Sequence, residues 1–359
     1  MTIKRRMLNL ATAIALAGFT NSVHAQEPIP VVATFSILGD MVERVGGDAI
    51  TVTTLVGRNG DSHVYQPTPA DAKAVKRASL LFTNGLEFEG WLERLAEAAE
   101  FNGETVVSTD GLELISMEEE HHDDEEHHDE DEEHAEGKEE HHDEDGDAEN
   151  SDAEHDADGH EKDEHGEDEH GEDEHGHHDH GEFDPHGWLS LQNAVVYVDN
   201  ITAALAKTAP ANAATFYQNR ADYVAEIEQL DTQIKAQFAA LPESARTVVT
   251  SHDAFQYFAR DYGLTFLAPQ GLSTESEASA RDVAELIKQV RTEGISAVFV
   301  ENVADPRLLQ QIARETGSVI GGKLFPGALS GKDGPAATYL ELMRHNATTI
   351  TAALTEAKK

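Results

Sequence analysis

The stretch VVATFSILGDMVERVGGDAITVTTLV, residues 31–56, decides the fold. Residues 31–35 are a short apolar run of strand type. A helix is expected over 37–45, closed by Gly46-Gly47. Residues 50–56 return to β-branched strand composition. A strand, a helix and a second strand in this order predict parallel pairing, because a parallel pair needs a crossover long enough to hold a helix. The pattern continues downstream. Thr68-Pro69-Ala70-Asp71 carries an N-cap, a first-turn proline and an acidic third position, predicting a helix to about 77. Strands are expected at 79–83 and 104–108, with a helix at 91–99 between them. A second series follows: strands at 247–250, 264–267 and 295–300, and helices from 254, at 280–291, 306–316 and 336–356. Two long helical patterns, 191–207 and 211–241, separate the series, the second about 45 Å long at the usual rise. The expected class is α/β, with two lobes carrying parallel-type sheets joined by a long helix.

The chain has 359 residues, 20 His and no Cys, with 26 basic against 69 acidic residues for a formal net charge of −43. Such a charge argues against nucleic-acid binding, which needs a basic face. The lack of Cys removes disulfides, thiolate metal sites and thiol nucleophiles together. The charge is concentrated. Residues 118–182 hold 35 acidic residues, two lysines and 15 of the 20 His. This stretch has almost nothing apolar to bury and repels itself, so a disordered acidic His-rich loop is expected, one that scavenges metal. Residues 1–25 read as an export signal: Lys4, Arg5 and Arg6 precede a short apolar run, and Val23-His24-Ala25 forms a cleavage pattern. No Cys follows that run, so a lipid-anchored form is not expected, nor is membrane insertion after cleavage. The expected organisation is 1–25 signal; 26–117 with 183–210 an N-terminal lobe; 118–182 the loop; 211–241 the connecting helix; 242–359 a C-terminal lobe.

Outside the signal and the loop, His63, His186, His252 and His345 remain. His63 lies in the turn-rich loop after the strand at 50–56, His252 just after that at 247–250, and His186 where ordered sequence resumes. Ligands gather at the carboxyl ends of strands in open parallel sheets. One His from each lobe and one between them would meet in an interlobe cleft. Three imidazoles with one further donor suit Zn2+. No local zinc motif supports this, and a single loop His is more often a hydrogen-bonded surface residue. His345, in a polar helical stretch, is read as structural.

These blocks resemble the metal-specific solute-binding proteins of bacterial ABC importers, and most closely the zinc-binding, ZnuA-type members. The resemblance rests on VVATFSILGDMV (31–42), GRNGDSHVYQPTPAD (57–71), LLFTNGLEFEGWLERL (80–95), DPHGWLS (184–190), SHDAFQYFARDYGL (251–264), STESEASA (273–280) and GGKLFPGALSGKDGPAATYLELMRHN (321–346). It implies two α/β lobes joined by a rigid long helix, with the metal between them and His63, His186 and His252 as ligands. The family's fourth ligand, an Asp, falls where this chain has Gly327, and Ser62 stands where some zinc-type relatives have an acid. Asp61, Glu301, Asp333, a water or a loop His are the candidates to complete the shell. The resemblance further implies Zn2+ as cargo, a zinc ABC permease as partner, a periplasmic location, a monomer and no enzymatic activity, with a periplasmic metallochaperone as a further partner. The alternatives are a manganese receptor of the same family, or a zinc buffer without a permease. A zinc hydrolase also uses three His and an open position, but no general-base carboxylate stands in a recognisable motif.

Overall fold

The computed structural model describes residues 27–116 and 182–356. The export signal at 1–25, and all of the acidic His-rich loop except Glu182, lie outside the described residues.

The first lobe is a four-stranded parallel sheet of β1 (Ile29–Phe35), β2 (Ile50–Val56), β3 (Leu80–Thr83) and β4 (Glu104–Val107), in the order β2-β1-β3-β4. The last five residues of β1 and all four of β3 are buried without alternation. Strands in the middle of a parallel sheet are covered on both faces and lose the period-two pattern for that reason. Helix α1 (Ser36–Gly46) buries Ile37, Leu38, Met41, Val42 and Val45, apolar residues on one helical face. Helix α2 (Pro69–Arg77) opens with the reciprocal cap expected from sequence: Thr68 Oγ1 accepts from Asp71 N, and Asp71 accepts from Thr68 N at 2.6 Å. Helix α3 (Leu92–Ala98) leads to β4.

Helices α4 (Leu191–Thr208) and α5 (Ala213–Ala239) follow. With 27 residues α5 is about 40 Å long. It packs on α1 and α4, and also on α6 (Gln256–Tyr262) and α9 (Tyr339–Glu356). Phe216 and Tyr223 are buried towards its start, and Phe238 near its end meets Phe258 of α6 edge to face at 5.7 Å.

The second lobe repeats the first in topology. Strands β5 (Thr247–Val249), β6 (Thr265–Leu267), β7 (Ala297–Glu301) and β8 (Val319–Leu324) are all parallel in the order β6-β5-β7-β8, with α7 (Ala280–Glu293) and α8 (Arg307–Thr316) in the crossovers. The two-lobe α/β expectation therefore holds. Strand β8 was not among the expected strands. Its two glycines serve close packing. A Cβ at Gly321 would lie 2.5 Å from the Phe299 ring, and Gly322 adopts φ +141°.

One hydrophobic core continues from the first lobe into the second. Its junction is Trp188, fully buried, whose ring lies 4.8 Å from Phe35 and 4.7 Å from Phe88. Trp188 Nε1 donates to Pro326 O at 2.7 Å, and Tyr339 OH donates to Trp188 O at 2.6 Å. A smaller core between β5, β7, α7 and α8 closes the far side of the second lobe.

The chain leaves for residues 117–181 and returns at one place. Ser116 and Phe183 form an antiparallel bridge, and Asp184 N donates to Ile115 O at 2.9 Å. Paired residues of this kind have Cα atoms about 5 Å apart, a gap that a short turn spans. Replacing 118–181 by a Gly/Ser turn is expected to preserve the fold. Circular dichroism and a thermal melt measure this, and loss of cooperative unfolding would contradict it.

Candidate metal centre

The loops at the carboxyl ends of β2 and β5 carry His63 and His252, and the turn before α4 carries His186. The structure brings these three together. Ring centroids are 5.4 Å apart for His63 and His186, 5.9 Å for His63 and His252, and 5.4 Å for His186 and His252. One ring nitrogen from each lies within 4.8 Å of the other two. Nitrogens bound tetrahedrally at about 2.0 Å from one ion would be roughly 3.3 Å apart, so the set is slightly open around a common centre. Among the described residues this is the metal-capable cluster, and no carboxylate belongs to it.

Each ring is aimed by a different device. His186 is fully buried, and its Nδ1 lies 2.8 Å from Asp184 Oδ1, which also accepts from His186 N at 2.9 Å. His186 Nε2 is buried with no hydrogen-bond partner, an arrangement that costs free energy unless something else fills the role. His252 Nδ1 lies 2.5 Å from Glu301 Oε2, and Glu301 Oε1 accepts from Ser251 N at 2.8 Å. In both pairs a carboxyl group faces Nδ1 and leaves Nε2 free to turn toward an ion, the usual arrangement behind a ligating imidazole. His63 is half-buried. Its backbone N donates to Asp61 Oδ1 at 3.0 Å, and its ring stands edge to face against Phe88 at 4.8 Å.

The electrostatics differ between the rings. Burial, reinforced by the other two imidazoles, holds His63 well below the ordinary imidazole range. Burial and then His252 hold His186 well below it too. Burial pulls His252 down as well, but the charge and hydrogen bond of Glu301 outweigh it and raise the group. Burial pushes Asp184 up to about 7 against its hydrogen bond from His186 N. The two contacts are therefore unlike: Glu301 raises His252 against its burial, whereas burial dominates at both His186 and Asp184.

The candidates for a fourth donor fall out differently from the sequence expectation. Glu301 is engaged in orienting His252. Asp61 accepts from His63 N, and from Thr274 Oγ1 of the second lobe at 2.6 Å. Asp333 is exposed. A Cβ at Gly327 would meet no atom within 4 Å, so nothing there replaces the family's Asp. Ser62 is buried beside His63, and its carbonyl accepts from Trp91 Nε1 at 2.8 Å. His345 stands apart, with Nε2 2.9 Å from Lys323 O and its ring 5.2 Å from Phe325. Asp184 was missed as a functional residue, although its Asp-x-His spacing is a readable signal, because a backbone N–H two residues on can cap the same carboxylate that takes the ring proton.

Two parallel-sheet lobes with three imidazoles converging between them make a site able to hold a metal ion. The chain belongs to the ZnuA family, described as zinc-uptake complex component A, periplasmic, whose model matches residues 31–353. It is 30% identical to the manganese-binding lipoprotein MntA of Bacillus subtilis, over 92% of this chain and 91% of that protein. It is 26% identical to the iron ABC transporter substrate-binding lipoprotein MtsA of Streptococcus pyogenes serotype M1, over 94% and 93%. The periplasmic zinc binding protein TroA of Treponema pallidum superposes with a TM-score of 0.71 at 25% identity, covering 92% of this chain and 99% of that one. The chain is thus a metal-binding substrate receptor of ABC importers, in a family of binding proteins, and membership implies a membrane permease as partner. Among the described residues no helix is long and apolar enough to cross a membrane.

The unequal rings change the proton count expected from sequence. Three ordinary imidazoles near 6.5 would release up to three protons per metal on the acid side of neutrality. His63 and His186, held low, are already neutral there. The groups with protons to lose are His252, raised, and Asp184, near 7. Calorimetry of zinc binding at pH ~5.5, in buffers of different ionisation enthalpy, is expected to give no more than about two protons released by this site, where ordinary imidazoles would release nearly three. A value of three would contradict the inequality.

Proposed function

We propose that the chain captures Zn2+ in the periplasm and delivers it to the permease of an ABC importer. The observation that carries this reading is a cluster of three convergent imidazoles, two of them buried and one half-buried, without a carboxylate. Mn2+ prefers more oxygen donors, whereas nitrogen ligands suit Zn2+. His63, His186 and His252 would hold the ion, and a water or a His from 118–182 would complete its shell. Charge supports a divalent cargo: the Asp184 and Glu301 carboxylates together balance two positive charges in a buried place. The acidic His-rich stretch would gather further zinc ahead of the cleft.

The second reading is a manganese receptor, favoured by the likeness to MntA. Competition against a chelator, in the chain lacking 118–181, separates the two. Zinc is expected to bind far more tightly than manganese. Ala at His63, His186 or His252 should each lower zinc affinity at least about tenfold, or ~1.4 kcal/mol, while His345→Ala changes little. Retention of wild-type zinc affinity by any of the three would remove that residue from the ligand set.

Gly327→Asp offers a test of selectivity, since the position has room for a side chain. An added carboxylate at the place of the family's Asp is expected to raise manganese affinity relative to zinc. An unchanged ratio would show that Gly327 does not set the preference.

A further inference from the structure

We infer that Asn84 and Tyr257 are positioning residues of the metal centre, two grips from opposite lobes that hold consecutive carbonyls of the 184–186 turn and so aim His186. The inference rests on the proposed ligand role of His186. Asn84, at the end of β3, is fully buried. Its Nδ2 donates to Pro185 O at 2.9 Å and to Gly85 O at 3.1 Å, and its Oδ1 accepts from Tyr197 OH at 2.6 Å. Tyr257, on α6 of the second lobe, is equally buried. Its hydroxyl donates to Asp184 O at 3.1 Å and accepts from Ile115 N at 3.2 Å.

The turn depends on these grips more than the other ligand loops do on theirs. The side-chain partner of the His186 ring is Asp184, which rides on the same turn. That pair fixes the ring relative to the turn and leaves open where the turn points. The placement of Nε2 relative to His63 and His252 is decided by what holds the backbone of Asp184 and Pro185.

Asn84 is itself locked. Its N donates to Glu89 Oε1 at 2.8 Å, and its O accepts from Thr109 Oγ1 at 2.7 Å. Glu89, buried, also accepts from Thr34 Oγ1 at 2.5 Å and from Gly85 N at 3.2 Å. The loop these bonds enclose carries Leu86 at φ 55° and Glu87 at φ 60°, a left-handed backbone that residues with side chains seldom adopt. It ends on Phe88, whose ring touches His63. One locked segment therefore sets a grip on the His186 turn and a wall against His63. That coupling is why the TNGLEFEGW block belongs to the site although none of it binds metal.

The test uses the full chain and Co2+ as the probe, because the visible absorption of Co2+ reports the number and geometry of its ligands. Zinc competition gives affinity alongside. Tyr257→Phe keeps the ring and removes the hydroxyl, and Asn84→Ala removes the amide. Tyr217→Phe, at an exposed tyrosine, is the control. At one equivalent of Co2+, Tyr257→Phe and Asn84→Ala are expected to show an altered spectrum and about tenfold weaker zinc binding, the low end for outer partners of ligating imidazoles. Wild-type spectrum and affinity in folded variants overturn the inference, even if the metal-free protein melts earlier, since that is the mark of a structural role alone. Should Asn84→Ala fail to fold, Tyr257→Phe decides by itself. If the wild type shows no tight Co2+ or zinc site, the receptor reading fails and the positioning roles fall with it.

Discussion

Three imidazoles stand in van der Waals reach of one another, two of them fully buried, with one Nε2 left without a hydrogen bond. Such a cluster is costly in a protein interior. The rings must be neutral to tolerate each other, must turn a lone pair toward one point, and must leave that point unfilled by protein. A divalent cation resolves all three demands, and Asp184 and Glu301 supply the charge that makes its burial tolerable. The carboxylates sit behind the rings instead of beside the ion. They contribute orientation and charge, and leave the donor set to nitrogen.

The fold provides for this by duplication. Both lobes have the same strand order, so both present loops at the carboxyl ends of parallel strands, where backbone groups are free to turn and side chains can converge. The lobes share a continuous core through Trp188, and α5 packs on helices of each. Hydrogen bonds also cross directly to the loop that carries His63: Asn59 N donates to Leu329 O, and the Arg58 guanidinium donates to the carbonyls of Ser330 and Ala337. The first ligand loop is thus held from the second lobe, as Asp61 is through Thr274. The imidazoles meet in a place that neither lobe makes alone.

Relatives of this chain are named for manganese, iron and zinc, on one architecture. Selectivity in such a family is a property of donor atoms and not of the fold. Here the side chains that converge are three imidazoles, and Gly327 faces open space. Hard ions would require more oxygen donors than this cluster presents.

How much was legible in the sequence follows from the range of each interaction. Helix α1, the cap at Thr68 and the alternation of strands with helices are local, set by side-chain periodicity and by residues three or four apart. Strand β8 was hidden because its glycines answer to Phe299 and α9, partners remote in sequence. His63, His186 and His252 could be singled out because imidazole is scarce outside the acidic stretch, and because two of them follow strands. Their meeting between the lobes was expected too, from their places at strand ends, but their unequal protonation was not, since it depends on which carboxylate lies behind which ring. Asp184 is two residues from His186, but Glu301 lies 49 residues from His252 and Asn84 101 from Pro185. Sequence by itself determined the residue types, the class of fold and the candidate ligands. That Glu301 lies behind His252, and that Asp61 bridges His63 and Thr274, were decided by tertiary structure, because hydrogen bonds between distant segments exist only once the sheets have brought those segments together.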